Sequence, residues 1–132
     1  MKQLTVVTGN TPGVLAGVAS LLGNSGINIE AITAETFGEG AIIRIVTRDS
    51  ASSLDVLRKN EYQVTDSDVL LVSVEDKPGQ LGRVAKRLAD EGVNIENIYL
   101  LAGKGGRHFF AMKVDRETKA RQVLGKDVVE RY

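Results

Sequence analysis

The sequence predicts an α+β protein made of two consecutive domains, each with the element order βαββαβ. First, a shift of 66 positions aligns residues 12–32 with residues 78–98 and gives 11 identities in 21 positions; chance gives roughly one or two. Second, each half alternates short β-branched segments with apolar residues at helical spacing. Third, turn signals containing glycine separate these segments at matching places in both halves. Each half therefore predicts one copy of the same fold.

Each half begins with a strand, a polar loop and a helix. Residues 4–7 and 70–74 are short β-branched runs, which predict strands. In the loops that follow, Asn10 and Asp76 are candidates for turn or capping residues. Gly26 and Gly92 are predicted to end the helices in a left-handed conformation. The predicted core-facing residues of the two helices recur at i, i+3, i+4 and i+7: Leu15, Val18, Ala19, Leu22, and Leu81, Val84, Ala85, Leu88.

The remaining elements repeat as well. Predicted strands are residues 27–34 and 41–48 in the first half, with 93–101 and 107–114 in the second. Weaker helices at 50–60 and 116–124 precede short closing strands at 62–64 and 128–131. This is the ferredoxin-like split βαβ arrangement, an antiparallel sheet with two helices on one face.

The polar, turn-like stretch 66–68 marks the predicted boundary, so the domains are expected to be residues 1–66 and 67–132. A unit of this size has a thin core. We therefore expect the two halves to pack side by side.

Composition removes several classes of partner. The formal net charge is zero and no long apolar run exists, so neither a nucleic acid nor a membrane is an expected partner. The chain has no cysteine, which fits a reducing cytoplasm. His108, the single histidine, is predicted to be a structural strand residue rather than a catalyst or metal ligand. We expect no metal site and no cofactor.

Catalytic signatures are absent from the sequence. It contains no nucleophile elbow, phosphate-binding loop or zinc-protease motif. An acylphosphatase, which shares this element order, needs an arginine in its first loop, and neither loop has one. Arg83, Lys86 and Arg87 are predicted to form a solvated helix face. The sequence therefore predicts a protein that is not an enzyme.

Two motifs occur in both halves at matching spacing. The first loops read Asn-Thr-Pro-Gly-Val-Leu at 10–15 and Asp-Lys-Pro-Gly-Gln-Leu at 76–81. The second strands open with Gly-Ile-Asn-Ile at 26–29 and Gly-Val-Asn-Ile at 92–95. These segments resemble the [D/N]-x-P-G-x-L loop and the G-[I/V]-N-I strand start of ACT domains. The resemblance covers nearly the whole chain.

The resemblance implies a function and a set of site residues. ACT domains typically pair, and many bind amino acids where two domains meet. In a serine-sensing member, contacts include an Asn in the loop and an Asn at the strand start, matched here by Asn10 and Asn28. That member also uses a His, which Thr8 and Val74 replace here, so serine is not implied as the ligand. The predicted ligand-binding residues are Asn10, Thr11, Pro12, Gly13, Val14, Leu15, Asn28, Ile29, Asp76, Lys77, Pro78, Gly79, Gln80, Leu81, Asn94 and Ile95.

The sequence thus predicts a free-standing regulatory protein that binds a small ligand, an amino acid by preference, at interfaces between ACT domains. The expected output is a change in association with itself or with a target enzyme. The alternative is a regulatory subunit or oligomerisation scaffold for a metabolic enzyme, without a functional ligand site. A second apolar stripe of Val14, Gly17 and Leu21 on the first helix predicts an additional interface and at least a homodimer.

Overall fold

A computed structural model describes all residues, 1–132. The chain divides into two compact units, Met1–Asp68 and Val69–Tyr132, which we call domain 1 and domain 2. Domain 1 consists of β1 (Lys2–Gly9), α1 (Val14–Asn24), β2 (Ile29–Phe37), β3 (Gly40–Thr47), α2 (Ser50–Lys59) and β4 (Gln63–Asp68). Domain 2 consists of β5 (Leu70–Glu75), α3 (Gln80–Asp90), β6 (Ile95–Lys104), β7 (Arg107–Val114), α4 (Glu117–Leu124), a short 3-10 helix (Gly125–Asp127) and β8 (Val128–Val129).

Each domain has one antiparallel four-stranded sheet. The strand order is β2-β3-β1-β4 in domain 1 and β6-β7-β5-β8 in domain 2. The first strand of each domain therefore lies inside its sheet, between the third and fourth strands. This order confirms the predicted ferredoxin-like fold, twice in one chain. The longest helices have 11 residues, too few for a membrane-spanning helix.

Alternate side chains along the strands are apolar and form the two hydrophobic cores. In domain 1, Leu4 and Val6 of β1 are opposite Ile45 and Ile43 of β3, and all four side chains are buried. Val18 and Leu22 of α1 cover this face of the sheet. Domain 2 repeats the pattern, with Val84 and Leu88 of α3 on a core that β5 and β7 supply. Such burial contributes about 1.5–3 kcal/mol per large side chain.

The orientation of α1 differs from the predicted one. Leu15 is 46% exposed, whereas Val14 and Leu21 pack against the core of domain 1. The core face therefore runs through residues 14, 18, 21 and 22, and Leu15 lies about 100° further round the helix than Val14. The prediction that Leu15 faces the core is wrong, as it is for Leu81, which is 43% exposed.

This orientation also removes the second stripe as an argument for an interface. Val14 and Leu21 flank the domain's own core. A Cβ added at Gly17 would lie 3.0 Å from the hydroxyl oxygen of Tyr62, which itself packs against that core. Self-association remains a prediction, but this stripe no longer supports it.

Both first helices end as predicted. Gly26 has φ 74° and Gly92 has φ 73°, in the left-handed region that favours glycine. After α1, the N–H of Ile27 donates to the carbonyl of Leu22 at 2.9 Å. The N–H of Gly26 donates to the carbonyl of Gly23 at 3.0 Å, which completes a Schellman motif.

The stretch 66–68 is a strand rather than the predicted turn. It forms the end of β4, where Asp66 and Asp68 are opposite Leu4 and Lys2. The ammonium of Lys2 lies 3.3 Å from a carboxylate oxygen of Asp66 and 3.6 Å from one of Asp68. The single ammonium group of Lys2 offsets part of the acidic charge of these residues, whose composition is typical of a turn. The two units divide between Asp68 and Val69, two residues beyond the expected boundary.

Candidate ligand-binding site

The loop between β1 and α1 is attached to the β2–β3 hairpin. The backbone N–H of Asn10 donates to the carbonyl of Glu39 at 2.7 Å, and its side-chain Nδ2 donates to the carbonyl of Gly38 at 3.2 Å. Of the two roles predicted for Asn10, capping is wrong, because Gly13 occupies the N-cap position of α1 and no side chain caps that helix. The side-chain oxygen Oδ1 makes no hydrogen bond within the protein.

Gly13 starts α1 with an unusual backbone. It occupies the N-cap position with φ 88°, and its carbonyl accepts the first helical bond from the N–H of Gly17 at 2.9 Å. An ordinary side chain at Gly13 is strained by this φ, although a Cβ there meets nothing within 4 Å. The glycine is thus required by the backbone, and it leaves the space in front of the helix open.

The N-terminus of α1 carries neither a side-chain cap nor an acidic residue in its first turn. In contrast, Asp49 caps α2 by accepting a hydrogen bond from the N–H of Ser52 at 3.0 Å. The first N–H groups of an uncapped helix and the positive end of its dipole suit a carboxylate ligand.

A cavity of about 480 Å³ lies at this helix start. Thr11 and Thr36 provide hydroxyl groups, and Glu35 provides a carboxylate whose oxygen lies 2.8 Å from Nη1 of Arg44. The lining residues are Gly9, Asn10, Thr11, Gly13, Val14, Leu15, Ala34, Glu35, Thr36, Ala41 and Ile43. A helix N-terminus, hydroxyl groups and an apolar wall are therefore close together.

Sequence reasoning missed the wall that β2 and β3 supply. Ala34, Glu35 and Thr36 lie in the last part of β2. This strand continues to Phe37, beyond its predicted end at residue 34. Ala34 is opposite Ile43, and Thr36 is opposite Ala41. Only the register of this hairpin places these residues beside the loop, although the glycine-containing turn between the two predicted strands indicates the hairpin itself.

The loop of domain 2 has the same backbone but different side-chain contacts. Gly79 has φ 89°, and α3 also begins without a side-chain cap or an acidic first turn. Asp76 does not cap it, because its Oδ1 lies 2.9 Å from Nε2 of His108. The ammonium of Lys77 lies 2.9 Å from Glu75, and Gln80 accepts a hydrogen bond from Arg83 at 3.0 Å. Several polar side chains of this loop are therefore already paired. Pro12 and Pro78 occupy the turns just before the two helices.

The predicted asparagine pair is not brought together within a domain. Asn28 lines a separate cavity of about 270 Å³ after the end of α1, where its Nδ2 donates to Glu30 at 3.4 Å. An 11-residue helix, about 16 Å long, separates it from the loop of Asn10. In domain 2, the backbone N–H of Asn94 donates to Asp115 at 2.9 Å. Ile29 and Ile95 pack against the two cores.

The protein is a tandem α+β repeat of two ferredoxin-like domains. In each domain, the first helix begins after a Pro-Gly turn and has no side-chain cap. A family model described as an ACT domain pair matches residues 1–130, and the chain therefore belongs to the ACT domain pair family. This domain pair is a regulatory module rather than a catalytic one. No curated protein matched the sequence.

Solved structures agree over the length of the chain. Protein BT0572 from Bacteroides thetaiotaomicron is 27% identical with a TM-score of 0.88, and the match covers 97% of this chain and 90% of that one. The regulatory subunit of aspartate kinase from Thermus thermophilus, in a ligand free form, is 17% identical with a TM-score of 0.71, over 96% and 91%. Aspartate kinase from Clostridium acetobutylicum is 12% identical with a TM-score of 0.59, and the match covers 97% of this chain but 33% of that enzyme.

Proposed function

We propose that this protein is a regulatory module that binds a free amino acid at the start of α1 in domain 1. The uncapped N-terminus of α1, which opens on a cavity of about 480 Å³, is the observation that carries the proposal. A cavity of this volume is in the range of small-molecule sites.

The groups at this cavity fit the parts of an α-amino acid. The carboxylate suits the first N–H groups of α1, because the first turn of this helix contains no acidic residue. The ammonium needs acceptors, which the free Oδ1 of Asn10 and the hydroxyls of Thr11 and Thr36 supply. Glu35 adds a negative charge that Arg44 offsets only in part in this exposed setting. The apolar lining by Leu15 and Ile43 favours a ligand with an apolar side chain.

Domain 1 is favoured over domain 2 because its loop is neutral. Thr11 and Val14 stand where domain 2 has Lys77 and Gln80, and the latter two already pair with Glu75 and Arg83. An amino acid at the loop of domain 2 would have to compete with these contacts.

The output of the module is proposed by analogy. The Thermus thermophilus neighbour is a regulatory subunit of a kinase, and an ACT domain pair is a regulatory module. We propose that ligand binding changes association with an enzyme or between copies of this chain. Binding at an interface between ACT domains and a homodimer both remain predictions; sedimentation with and without ligand tests the second.

A matched pair of glycine substitutions tests the site. Asn tolerates a left-handed backbone, so Gly13→Asn places a side chain at the start of α1 without unfolding it. Gly79→Asn is the control, because Gly79 has the same φ and equally open surroundings in domain 2. Calorimetry and thermal shifts with the twenty amino acids are the measurements. A ligand at 100 times its Kd stabilises the folded protein by about 2.7 kcal/mol.

We expect one or a few apolar amino acids to bind the parent protein and the Gly79→Asn variant, but not Gly13→Asn. Equal affinity in all three proteins would show that neither loop is the site. Loss of binding only in Gly79→Asn would move the site to domain 2. If no amino acid binds, the chain is instead an oligomerisation scaffold or regulatory subunit without a ligand site.

A further inference from the structure

A second cavity, of about 600 Å³, lies in domain 2 and corresponds only in part to the cavity of the proposed amino-acid site. It is bounded by the start of α3, the end of α4 and the 3-10 helix, and the ends of β5 and β7. Both cavities include the start of the first helix of their domain, but the cavity in domain 1 extends over β2, whereas this one extends over α4 and the 3-10 helix. We call the cavity in domain 2 the basic cleft, because five lysine and arginine side chains line it.

Positive charge dominates its lining. Five cationic side chains and two carboxylates, Glu75 and Asp127, line the cleft, which leaves an excess of three positive charges in a chain of zero net charge. The cations are Lys77, Arg83, Arg87, Arg107 and Lys126. Arg83 and Arg87 line the cleft with side chains that are 43% and 39% exposed, which agrees with the predicted solvated face of α3. Lys86, which does not line the cleft, pairs with Asp90 at 3.0 Å.

The guanidinium groups are held in place but not neutralised. Arg83 and Arg87 share one oxygen of Asp127, each at 3.2 Å. Arg87 also donates to the carbonyl of Val123. Each guanidinium carries five N–H donors, so most of them remain for a ligand. One carboxylate thus orients two cations while it balances only one of their charges.

Of the other three cations, only Lys77 forms an ion pair. Nε of Arg107 donates to the hydroxyl of Ser73 at 2.6 Å, and Nη2 donates to the Ser73 carbonyl at 3.0 Å. Both acceptors are neutral. Lys126 makes no ion pair. Lys77 pairs with Glu75, and this hydrogen bond holds the pKa of the Glu75 carboxyl below its usual value.

The fold itself does not require these charges. Domain 1 has the same fold, and the positions 66 residues before Gln80, Arg83, Arg87 and Arg107 are occupied by Val14, Gly17, Leu21 and Ala41. There, Tyr62 packs against Gly17 and the core. Concentrating like charges around a cavity is unfavourable unless a ligand compensates them.

We propose that the basic cleft binds a compact small molecule with two or more negative charges, either a phosphorylated metabolite or a polycarboxylate. Arginine recognises both groups through paired N–H donors, and lysine adds charge. The volume is in the small-molecule range. No aromatic side chain lines the cleft, so base stacking, on which single-stranded nucleic acids depend, is not available.

Calorimetric titration of the full chain at constant low ionic strength tests this, with inorganic triphosphate and citrate as separate probes. Arg83→Gln and Lys126→Gln each remove one charge from the cleft. Lys86→Gln is the matched control, since it removes the same charge from the same helix as Arg83, outside the cleft. Circular dichroism checks that all variants are folded.

We expect saturable one-to-one binding that Arg83→Gln and Lys126→Gln each weaken by about tenfold or more, while Lys86→Gln changes it less than twofold. Preference for triphosphate or for citrate identifies the ligand chemistry. The proposal is overturned if neither probe saturates, or if all three variants weaken binding equally. Tighter binding of a single-stranded oligonucleotide than of both probes would also overturn it. None of these outcomes depends on amino-acid binding in domain 1.

Discussion

Two leucines of α1 occupy equivalent positions in the apolar sequence pattern, but we expect truncation to alanine to affect stability at one and ligand affinity at the other. Leu22 is fully buried in the core of domain 1, whereas Leu15 is 46% exposed and lines the amino-acid cavity. Leu22→Ala should therefore destabilise domain 1. Leu15→Ala should leave the fold intact and weaken ligand binding.

The magnitudes follow from burial. Leu→Ala removes three carbon groups, so at Leu22 the lost transfer free energy is about 2.4 kcal/mol. The cavity that remains raises the cost to roughly 2.7–5 kcal/mol. At Leu15 about half of the side chain is already in water, and no enclosed cavity forms, so we expect about 1 kcal/mol. Loss of its contact with a ligand should weaken binding by roughly fivefold.

Amide hydrogen exchange measures the stability of domain 1 separately, through the paired N–H groups of β1 and β3. A single melting curve is less suitable because two domains need not unfold together. Leu88→Ala and Leu81→Ala repeat the comparison in domain 2, where the two leucines are 0% and 43% exposed. Equal losses of protection for Leu15→Ala and Leu22→Ala would refute the orientation of α1 described above.

Two further predictions concern domain 1. The hydrogen bond from the N–H of Ser52 holds the pKa of Asp49 below its ordinary value of 3.8, so the cap stabilises α2 above that pH and is lost as pH falls through the lowered pKa. The stability difference between the parent protein and Asp49→Ala, measured by denaturation at pH 7 and pH 2, should therefore be smaller at pH 2 than at pH 7; a constant difference would contradict this. Gly17→Ala should be more stabilising in a Tyr62→Phe background than in the parent, because a Cβ there lies 3.0 Å from the Tyr62 hydroxyl. Without that contact the helix gains up to about 1 kcal/mol; a double-mutant cycle with no coupling would rule out the contact.

Most of the fold was predictable because its signals are local. The strand runs and the helix ends at Gly26 and Gly92 each depend on residues close together in the chain, and the repeat shows the same local signals twice. Ends of elements were less accurate. β2 ends at Phe37 rather than residue 34, because pairing with β3 continues to Gly40. The stretch 66–68 extends β4 because it pairs with β1, where Lys2 offsets part of its acidic charge.

The candidate sites were predictable only in part. The Pro-Gly loops mark where α1 and α3 begin, and the structure shows that both helices begin there without caps. The roles of Asn10 and Asp76 were not evident, since their partners, Gly38 and His108, are about thirty residues away. The basic cleft was missed for the same reason: Arg83 and Arg87 meet Asp127, about forty residues further along the chain.

The sequence by itself determined the repeated α+β fold, the strand–helix order and the positions of the glycines that start and end the first helices. These features follow from the spacing of apolar residues along the chain and from left-handed backbone conformations that few residues other than glycine adopt. Tertiary structure decided which way α1 faces, what surrounds its first turn and where the charges of domain 2 gather. The apolar pattern of a helix leaves its rotation about its own axis undetermined by about 100°, the angle between two consecutive residues. Side chains distant in sequence meet only when strand register and helix packing bring them together.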